Sequence, residues 1–242
     1  MAEINLVICM AGYNTRFHDV GFDIPKYLLP WNGHTIIHDI LKNLHKDCRV
    51  LLVANKRDIY FQDQLLETIA PFDLNEKNIL YIGDTRGQAH TAAIGIGYLN
   101  YPELPTFIHN GDTIVTGRNL KLISEMLAFP YTAYVDVFIG NSPKYSYVRA
   151  YEGVITEIVE KKQISPYASS GLYGFESGNR YLEYYDKLQS EGELYISNVI
   201  QSMITDERAA FMNGLSANQE TIVLGSPQEY GIELARQTLG AK

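Results

Sequence analysis

Apolar positions along this chain follow two different periods. Residues 4–10, "INLVICM", form a continuous apolar run of strand length, and 49–55, "RVLLVAN", form another. Runs with no polar face predict strands buried on both sides. Between them, 35–47 places Ile36, Ile37, Ile40, Leu41 and Leu44 at helical spacing. A helix over 57–69 is closed by Pro71, and a strand over 78–83 follows. Residues 87–99 read as a helix whose small residues suit close packing on a sheet, 106–112 as a strand running into a turn, and 119–129 as a helix. This β-α-β-α order predicts a mainly parallel sheet with helices on both faces.

The rhythm changes after residue 130. Strand-like runs at 132–140, 146–153 and 154–162 are separated by turn residues, with no helices between, and a short strand follows at 169–175. Helices are expected over 177–190 and 195–206, and 220–238 reads as strand, turn and helix. The fold class is therefore α/β, three-layered, around a mixed but mostly parallel sheet. No internal repeat or low-complexity linker divides the chain, so one domain over 1–242 is expected.

Composition narrows the partners. With 20 basic against 28 acidic residues the formal charge is −8, and no long basic run interrupts it. That argues against a nucleic-acid surface and against adsorption to anionic lipid. Cations converging on one point would be a local exception. Two cysteines, Cys9 and Cys48, are too few for a disulfide framework, which suits a reducing cytosol. The first apolar run lacks a basic flank and is too short for a signal peptide or a membrane span, so a cytoplasmic location is expected. The 18 tyrosines are scattered and read as amphipathic packing. Those at 131–151 could also make an interface between copies, so a homo-oligomer is among the expected states.

Candidate chemistry starts where the first strand ends. Ala11-Gly12-Tyr13-Asn14-Thr15-Arg16 forms a polar turn, and Pro25-Lys26 follows. In open parallel sheets, ligands bind at the carboxyl ends of strands. Gly12 admits a ligand close to the backbone, Asn14 tolerates positive φ, and such a turn can aim several N–H groups at an anion. Arg16 adds a planar fork for phosphate oxygens, and Lys26 adds a point charge. A surface loop with two solvated cations is the alternative. His109-Asn110-Gly111-Asp112 offers a carboxylate suited to Mg²⁺, or simply a turn. Glu160-Lys161 ends a later strand, just before Gly171 in "SSGLYGF". The six histidines show no zinc-like pairing with cysteines, and His34 and His38, four apart, fit an ordinary helix start.

Taken in order, these segments resemble the sugar-nucleotidyltransferase family. Its G-x-G-T-R loop stands here as Gly12-Tyr13-Asn14-Thr15-Arg16, and its Pro-Lys and "LLP" as Pro25-Lys26-Tyr27-Leu28-Leu29-Pro30. Its Gly-Asp, Glu-Lys and terminal G-T-P correspond to Gly111-Asp112, Glu160-Lys161 and Gly225-Ser226-Pro227.

The resemblance implies a Rossmann-like, glycosyltransferase-A-like fold with a nucleotide-binding part at about 1–115 and an acceptor-binding part at about 116–242. It implies transfer of a nucleotidyl group from an NTP to a phosphorylated acceptor, with release of pyrophosphate. Arg16 and Lys26 would be catalytic. Ala11, Gly12, Tyr13, Asn14, Thr15, Gly87 and Gln88 would bind the nucleotide. Asp112 would hold Mg²⁺, and Glu160, Lys161 and Gly171 would bind the acceptor.

Compact relatives are often cytidylyltransferases of surface-polysaccharide or lipid-headgroup pathways, which tilts the expected donor toward CTP. The acceptor could be a sugar 1-phosphate, or a non-sugar phosphate such as phosphocholine, a polyol phosphate or phosphoglutamine. Three positions depart from the pattern: Asn14 replaces a glycine, Lys162 a proline, and Val223 a second metal-binding aspartate. Two other readings stay open. One is a glycosyltransferase on the same fold, although no Asp-x-Asp ends the strand before Asp112. The other is a non-catalytic nucleotide-binding regulator, which Val223 leaves in play.

Overall fold

The structure is a computed structural model, and it describes residues 3–127, 130–188 and 192–240. The expected helices at 119–129 and 177–190 run at their ends into residues outside the described ones. The first half of the chain follows the expected order closely. Strand β1 (Ile4–Cys9) is followed by a short helix α1 (Thr15–His18), a two-residue hairpin of β2 (Pro30–Trp31) and β3 (His34–Thr35), and α2 (Ile36–Leu44). Thr35 caps α2 by accepting from the His38 N–H, the usual service of a threonine at that position. Then come β4 (Cys48–Asn55), α3 (Gln62–Ile69), β5 (Ile79–Ile82), α4 (Gln88–Gly97), β6 (Thr106–Asn110), β7 (Thr113–Thr116) and α5 (Leu120–Met126). The expected helix at 57–69 begins as a 3-10 turn, Lys56–Phe61, and becomes α-helical only at Gln62.

The second half holds β8 (Tyr131–Ile139), β9 (Tyr147–Tyr151), β10 (Val154–Val159) and β11 (Tyr167–Phe175), then α6 (Gly178–Asp186) and α7 (Ile196–Thr205). It ends with β12 (Ala209–Asn213), β13 (Glu220–Val223) and α8 (Pro227–Gly240). Periodicity gave no sign of β7 or β12. Both are short, and what stabilises them is pairing with strands far away in sequence.

Nine strands form one sheet in the order β5-β4-β1-β6-β11-β8-β12-β10-β9. The first four are parallel, with Leu6 level with Val50 on one side and Phe107 on the other. β11 then runs antiparallel to both β6 and β8. Period-two alternation sorts β1 between two cores. Ile4, Leu6 and Ile8 face the core that takes Ile36, Ile40 and Leu41 of α2 and Leu65 and Ile69 of α3. Val7 faces the other, with Ala89, Ala92 and Ile96 of α4 and Val199, Ile200 and Met203 of α7. This is the expected three-layer, glycosyltransferase-A-like architecture, and it exposes the C-terminal ends of β1 and β6 side by side.

β13 pairs with β7 as a separate two-stranded ladder, Val223 opposite Thr113. Arg118 closes its far end. The guanidinium donates to the carbonyls of Thr116 and Glu220, at 2.6 and 2.7 Å, and to both carboxylate oxygens of Asp136, at 2.9 Å each. Asp136 also accepts from the Tyr134 hydroxyl at 2.7 Å. Both members of the Arg118–Asp136 pair are fully buried, and the burial is sustainable because each charge is neutralised and hydrogen-bonded.

Candidate active site

The loop after β1 is held from beneath. Asn14 takes the left-handed conformation, φ 54° and ψ 18°, and starts α1. This is the conformation for which asparagine substitutes best for glycine. Phe17 of α1 is buried edge-to-face against Phe22 and Tyr230, with ring centroids 5.7 and 6.3 Å away. With Phe17 anchored, its exposed neighbour Arg16 stays at the mouth of the site. Asn14 Oδ1 is buried there without a protein partner among the described residues.

Lys26 is placed by the residues that follow it. Pro25 is extended, and Lys26–Leu28 make a 3-10 turn whose Tyr27 and Leu28 are buried. The Tyr27 hydroxyl donates to Asp58 at 3.2 Å. The Lys26 ammonium emerges beside Asp112, with Nζ 2.5 Å from Oδ2. Burial alone would raise the Asp112 carboxyl, but the charge and hydrogen bond of Lys26 outweigh it and hold the group below the ordinary carboxylate range.

Across from Asp112 lies the turn that starts α8. The Leu224 N–H donates to the Asp112 carbonyl at 2.9 Å, so β13 delivers Gly225 to the carboxylate. A Cβ on Gly225 would stand 3.1 Å from Asp112 Oδ2 and 3.7 Å from Glu229 Oε2. Glu229 accepts from Ser226 Oγ at 2.6 Å, and the Glu229 N–H points back to that oxygen at 3.4 Å. This half of a capping box fixes the side chain. Val223, at the position of the missing aspartate, offers no oxygen and lines the chamber beside Glu229.

Glu160 and Lys161 are set by β9, β10 and α7. β10 stops at Val159 rather than at the expected 162, because Lys161 adopts a left-handed φ of 54° that breaks the ladder. Glu160 Oε2 accepts from the hydroxyls of Ser146 and Ser197, the latter at 2.7 Å. The Lys161 ammonium meets Glu193 Oε2 at 3.4 Å, bonds to the Tyr195 hydroxyl, and lies 4.5 Å from that ring's centroid. The Tyr195 hydrogen bond, reinforced by Glu193, pushes the ammonium pKa up despite partial burial.

Gly87, just before α4, has φ 109°, and a Cβ there would lie 2.6 Å from the Leu194 carbonyl oxygen. That carbonyl accepts from the Ala89 N–H, and the Leu194 N–H donates to the Arg86 carbonyl. Tyr13 is 55 % exposed, with the Arg57 guanidinium 4.2 Å over its ring.

All these parts face one cavity of about 880 Å³. Ala11, Gly12, Tyr13, Asn14, Thr15, Arg16, Lys26, Gly87 and Gln88 all line it. So do Asp112, Glu160, Lys161 and Gly171. A smaller chamber of about 180 Å³ adjoins it, shared through Arg16, Asn110, Asp112, Lys144, Tyr145, Ser169 and Gly225. Sequence reasoning missed Lys144, Tyr145, Glu193 and Tyr195, which carry no local motif. Glu229 was missed as well, although the Ser226-x-x-Glu229 capping pattern could have marked it. Among the described residues no helix is long and apolar enough to cross a membrane, and no three His, Cys, Asp or Glu side chains gather as a metal cluster.

The sequence profile of the nucleotidyl transferase family matches residues 5–216. The structure is similar to a nucleoside-diphosphate-sugar pyrophosphorylase from Vibrio cholerae RC9, with a TM-score of 0.77 and 25 % identity over 95 % of this chain and 99 % of that one. It is similar in fold to a UDP-glucose pyrophosphorylase complexed with UDP-glucose, at TM-score 0.76 and 18 % identity, covering the whole of both chains. The inositol-1-phosphate CTP transferase from T. maritima shares the fold at TM-score 0.72 and 15 % identity, over 95 % of this chain and 92 % of that one. No curated protein matches the sequence.

Proposed function

This chain belongs to the nucleotidyl transferase family, and from that premise we propose that it moves a nucleotidyl group from an NTP to a phosphorylated small molecule. The observation that carries this reading is the meeting of Arg16, Lys26, Asp112 and Lys161 on one cavity in a chain whose net charge is −8. A triphosphate and an acceptor phosphate bring several negative charges together, and three cations from separate parts of the chain offset that repulsion.

In the proposed reaction an oxygen of the acceptor phosphate attacks the α-phosphorus in line. The new P–O bond forms as the bond to the β-phosphate bridging oxygen breaks, and pyrophosphate departs with that electron pair. The attacking oxygen is already ionised near neutral pH, so positioning and charge neutralisation supply most of the rate. Arg16 and the loop amides hold the triphosphate. Lys26 lies between the α-phosphate and the attacking group, and Lys161 leaves Glu193 to hold the acceptor phosphate. Glu160 keeps Oε2 on its two serines and turns Oε1 to the acceptor.

Mg²⁺ suits the donor set. The oxygens of Asp112 and Glu229 flank the space above Gly225, and a small hard cation prefers such ligands together with phosphate and water. Asp112, with Glu229 across from it, would hold the ion, which when bound draws charge from the α-phosphate. The donor we favour is CTP and the acceptor a sugar 1-phosphate or small non-sugar phosphate, with a role in surface-polysaccharide synthesis. The cytidine and uridine named for its structural neighbours support a pyrimidine donor.

The test is pyrophosphate release with Mg²⁺ across a panel of CTP, UTP, dTTP, ATP and GTP against phosphorylated acceptors. Lys26→Ala and Arg16→Ala should each lower turnover by about 10²–10³-fold, the usual effect of removing one stabilising donor. Normal turnover by Lys26→Ala would overturn the assignment, and nucleotide binding without pyrophosphate release would favour a regulator.

A further inference from the structure

At the junction of the two halves of the cavity stands a pair of carboxamides. Asn110 ends β6 and Gln88 opens α4, and the Gln88 Nε2 donates to Asn110 Oδ1. Both side chains are half-buried and both line the cavity, Asn110 reaching the smaller chamber as well.

Each carboxamide offers two donor hydrogens and an acceptor oxygen. Their mutual bond is the one hydrogen bond either side chain makes among the described residues, so most of this capacity is turned to the cavity unspent. Water serves such groups in the open cavity, and a ligand that displaces it must supply the same hydrogen bonds. Asn110 is also closely seated. Gly171 has φ 89°, and the space its Cβ would fill is taken by the Asn110 amide. Gly171 was expected to bind the acceptor, yet its clearest service is to admit Asn110.

We propose that the Asn110–Gln88 carboxamide pair is the acceptor-discriminating element of this site, hydrogen-bonding a hydroxylated phosphate monoester and rejecting one that presents bare carbon at that point. The inference rests on the proposed nucleotidyl transfer and deepens it. Asn110 lies against Gly171, which shares the cavity wall with Glu160 and Lys161, the residues proposed for the acceptor, while Arg16 of the phosphate-holding loop reaches the same small chamber. A site built to hydrogen-bond a hydroxyl discriminates strongly against the analogue lacking it, because its own polar groups are then left unpaired. A site lined by apolar side chains lacks that lever.

The experiment compares glucose 1-phosphate and inositol 1-phosphate with their monodeoxy analogues in the wild type, Asn110→Leu, Gln88→Leu and Asn110→Asp. It reads kcat/KM for each acceptor and, separately, the Kd of the Mg-nucleotide by calorimetry. The wild type should prefer at least one hydroxylated acceptor over a deoxy form by about 10²-fold or more. Both leucine variants should bring that ratio to within a few-fold by raising the hydroxylated acceptor's KM, and Asn110→Leu should leave the nucleotide Kd unchanged. Asn110→Asp, folded and isosteric, should shift the preference among the deoxy analogues. An unchanged ratio in both leucine variants, or an equal loss of nucleotide affinity in Asn110→Leu, overturns the inference alone. Absence of turnover by the wild type with every donor and acceptor overturns the proposed function, and this inference with it.

Discussion

The Nζ of Lys26 lies 2.5 Å from Oδ2 of Asp112, although 86 residues separate the two in sequence. Each sits on a short, well-anchored turn, and each is only slightly exposed. The cation expected at the phosphates and the carboxylate expected at the metal are therefore partners before any substrate arrives. Binding a polyanion and a cation at this point amounts to exchanging one neutralised pair for two.

That pairing fixes a pH dependence. Burial raises the Asp112 carboxyl and Lys26 more than reverses the effect, so the folded-state pKa lies below the unfolded one. The contribution to stability is complete above the ordinary aspartate range and is lost as pH falls through the depressed folded value. In Lys26→Met the main opposition to burial is gone, leaving only the weaker pull of His109 and of the Thr113 hydroxyl, so the carboxyl rises. The variant should be destabilised most at neutral pH, and its deficit should shrink as acid protonates Asp112. Denaturant unfolding of both proteins between pH 7 and pH 3 measures this, and a deficit independent of pH would refute it.

Asp136→Ala should be severe. It leaves the Arg118 guanidinium buried without its counter-charge, and breaking a buried pair from one side costs roughly 3–5 kcal/mol. Because Arg118 also ties β7 to β13, the loss should appear as a lower midpoint for the whole molecule. Urea unfolding monitored by circular dichroism gives the value, and a change within 0.5 kcal/mol, typical of a surface site, would show that the network is not holding the ladder.

Gly12 and Gly87 should differ in what alanine costs them. A Cβ at Gly12 meets nothing within 4 Å, so Gly12→Ala should fold normally, but it places a methyl where the nucleotide approaches. Gly87→Ala forces a positive φ on alanine and drives Cβ into the Leu194 carbonyl, with a strain of about 1–3 kcal/mol. Thermal melts and nucleotide titrations separate the two: Gly12→Ala loses affinity at normal stability, while Gly87→Ala loses both.

The two thiols should be inert. Burial pushes Cys9 up to about 12, and burial with the nearby Asp47 carboxylate pushes Cys48 to about 12. Little thiolate exists at pH 8, and the thiolate is the reactive form. Native protein should take up Ellman's reagent slowly, and unfolded protein should react at two sites. Rapid labelling of either thiol in the native state would contradict the buried setting.

Hydrophobic periodicity determined the layered architecture, because burial on both sheet faces leaves continuous apolar strands and one-sided helices in the sequence itself. The turn chemistry of Gly12–Arg16 and Pro25-Lys26 was legible for a similar reason: φ preferences and fixed charges are properties of single residues. The tertiary structure alone decided that Glu229 faces Asp112 across Gly225, that Asn110 meets Gln88, and that Lys161 rests on Glu193 and Tyr195. Those relationships join strands and helices distant along the chain, and short-range patterns hold no record of which long-range neighbours the packing of the sheet will bring together. β7 and β12 escaped notice on the same physical ground, since four or five residues with weak preference become strand only when another strand supplies the hydrogen bonds.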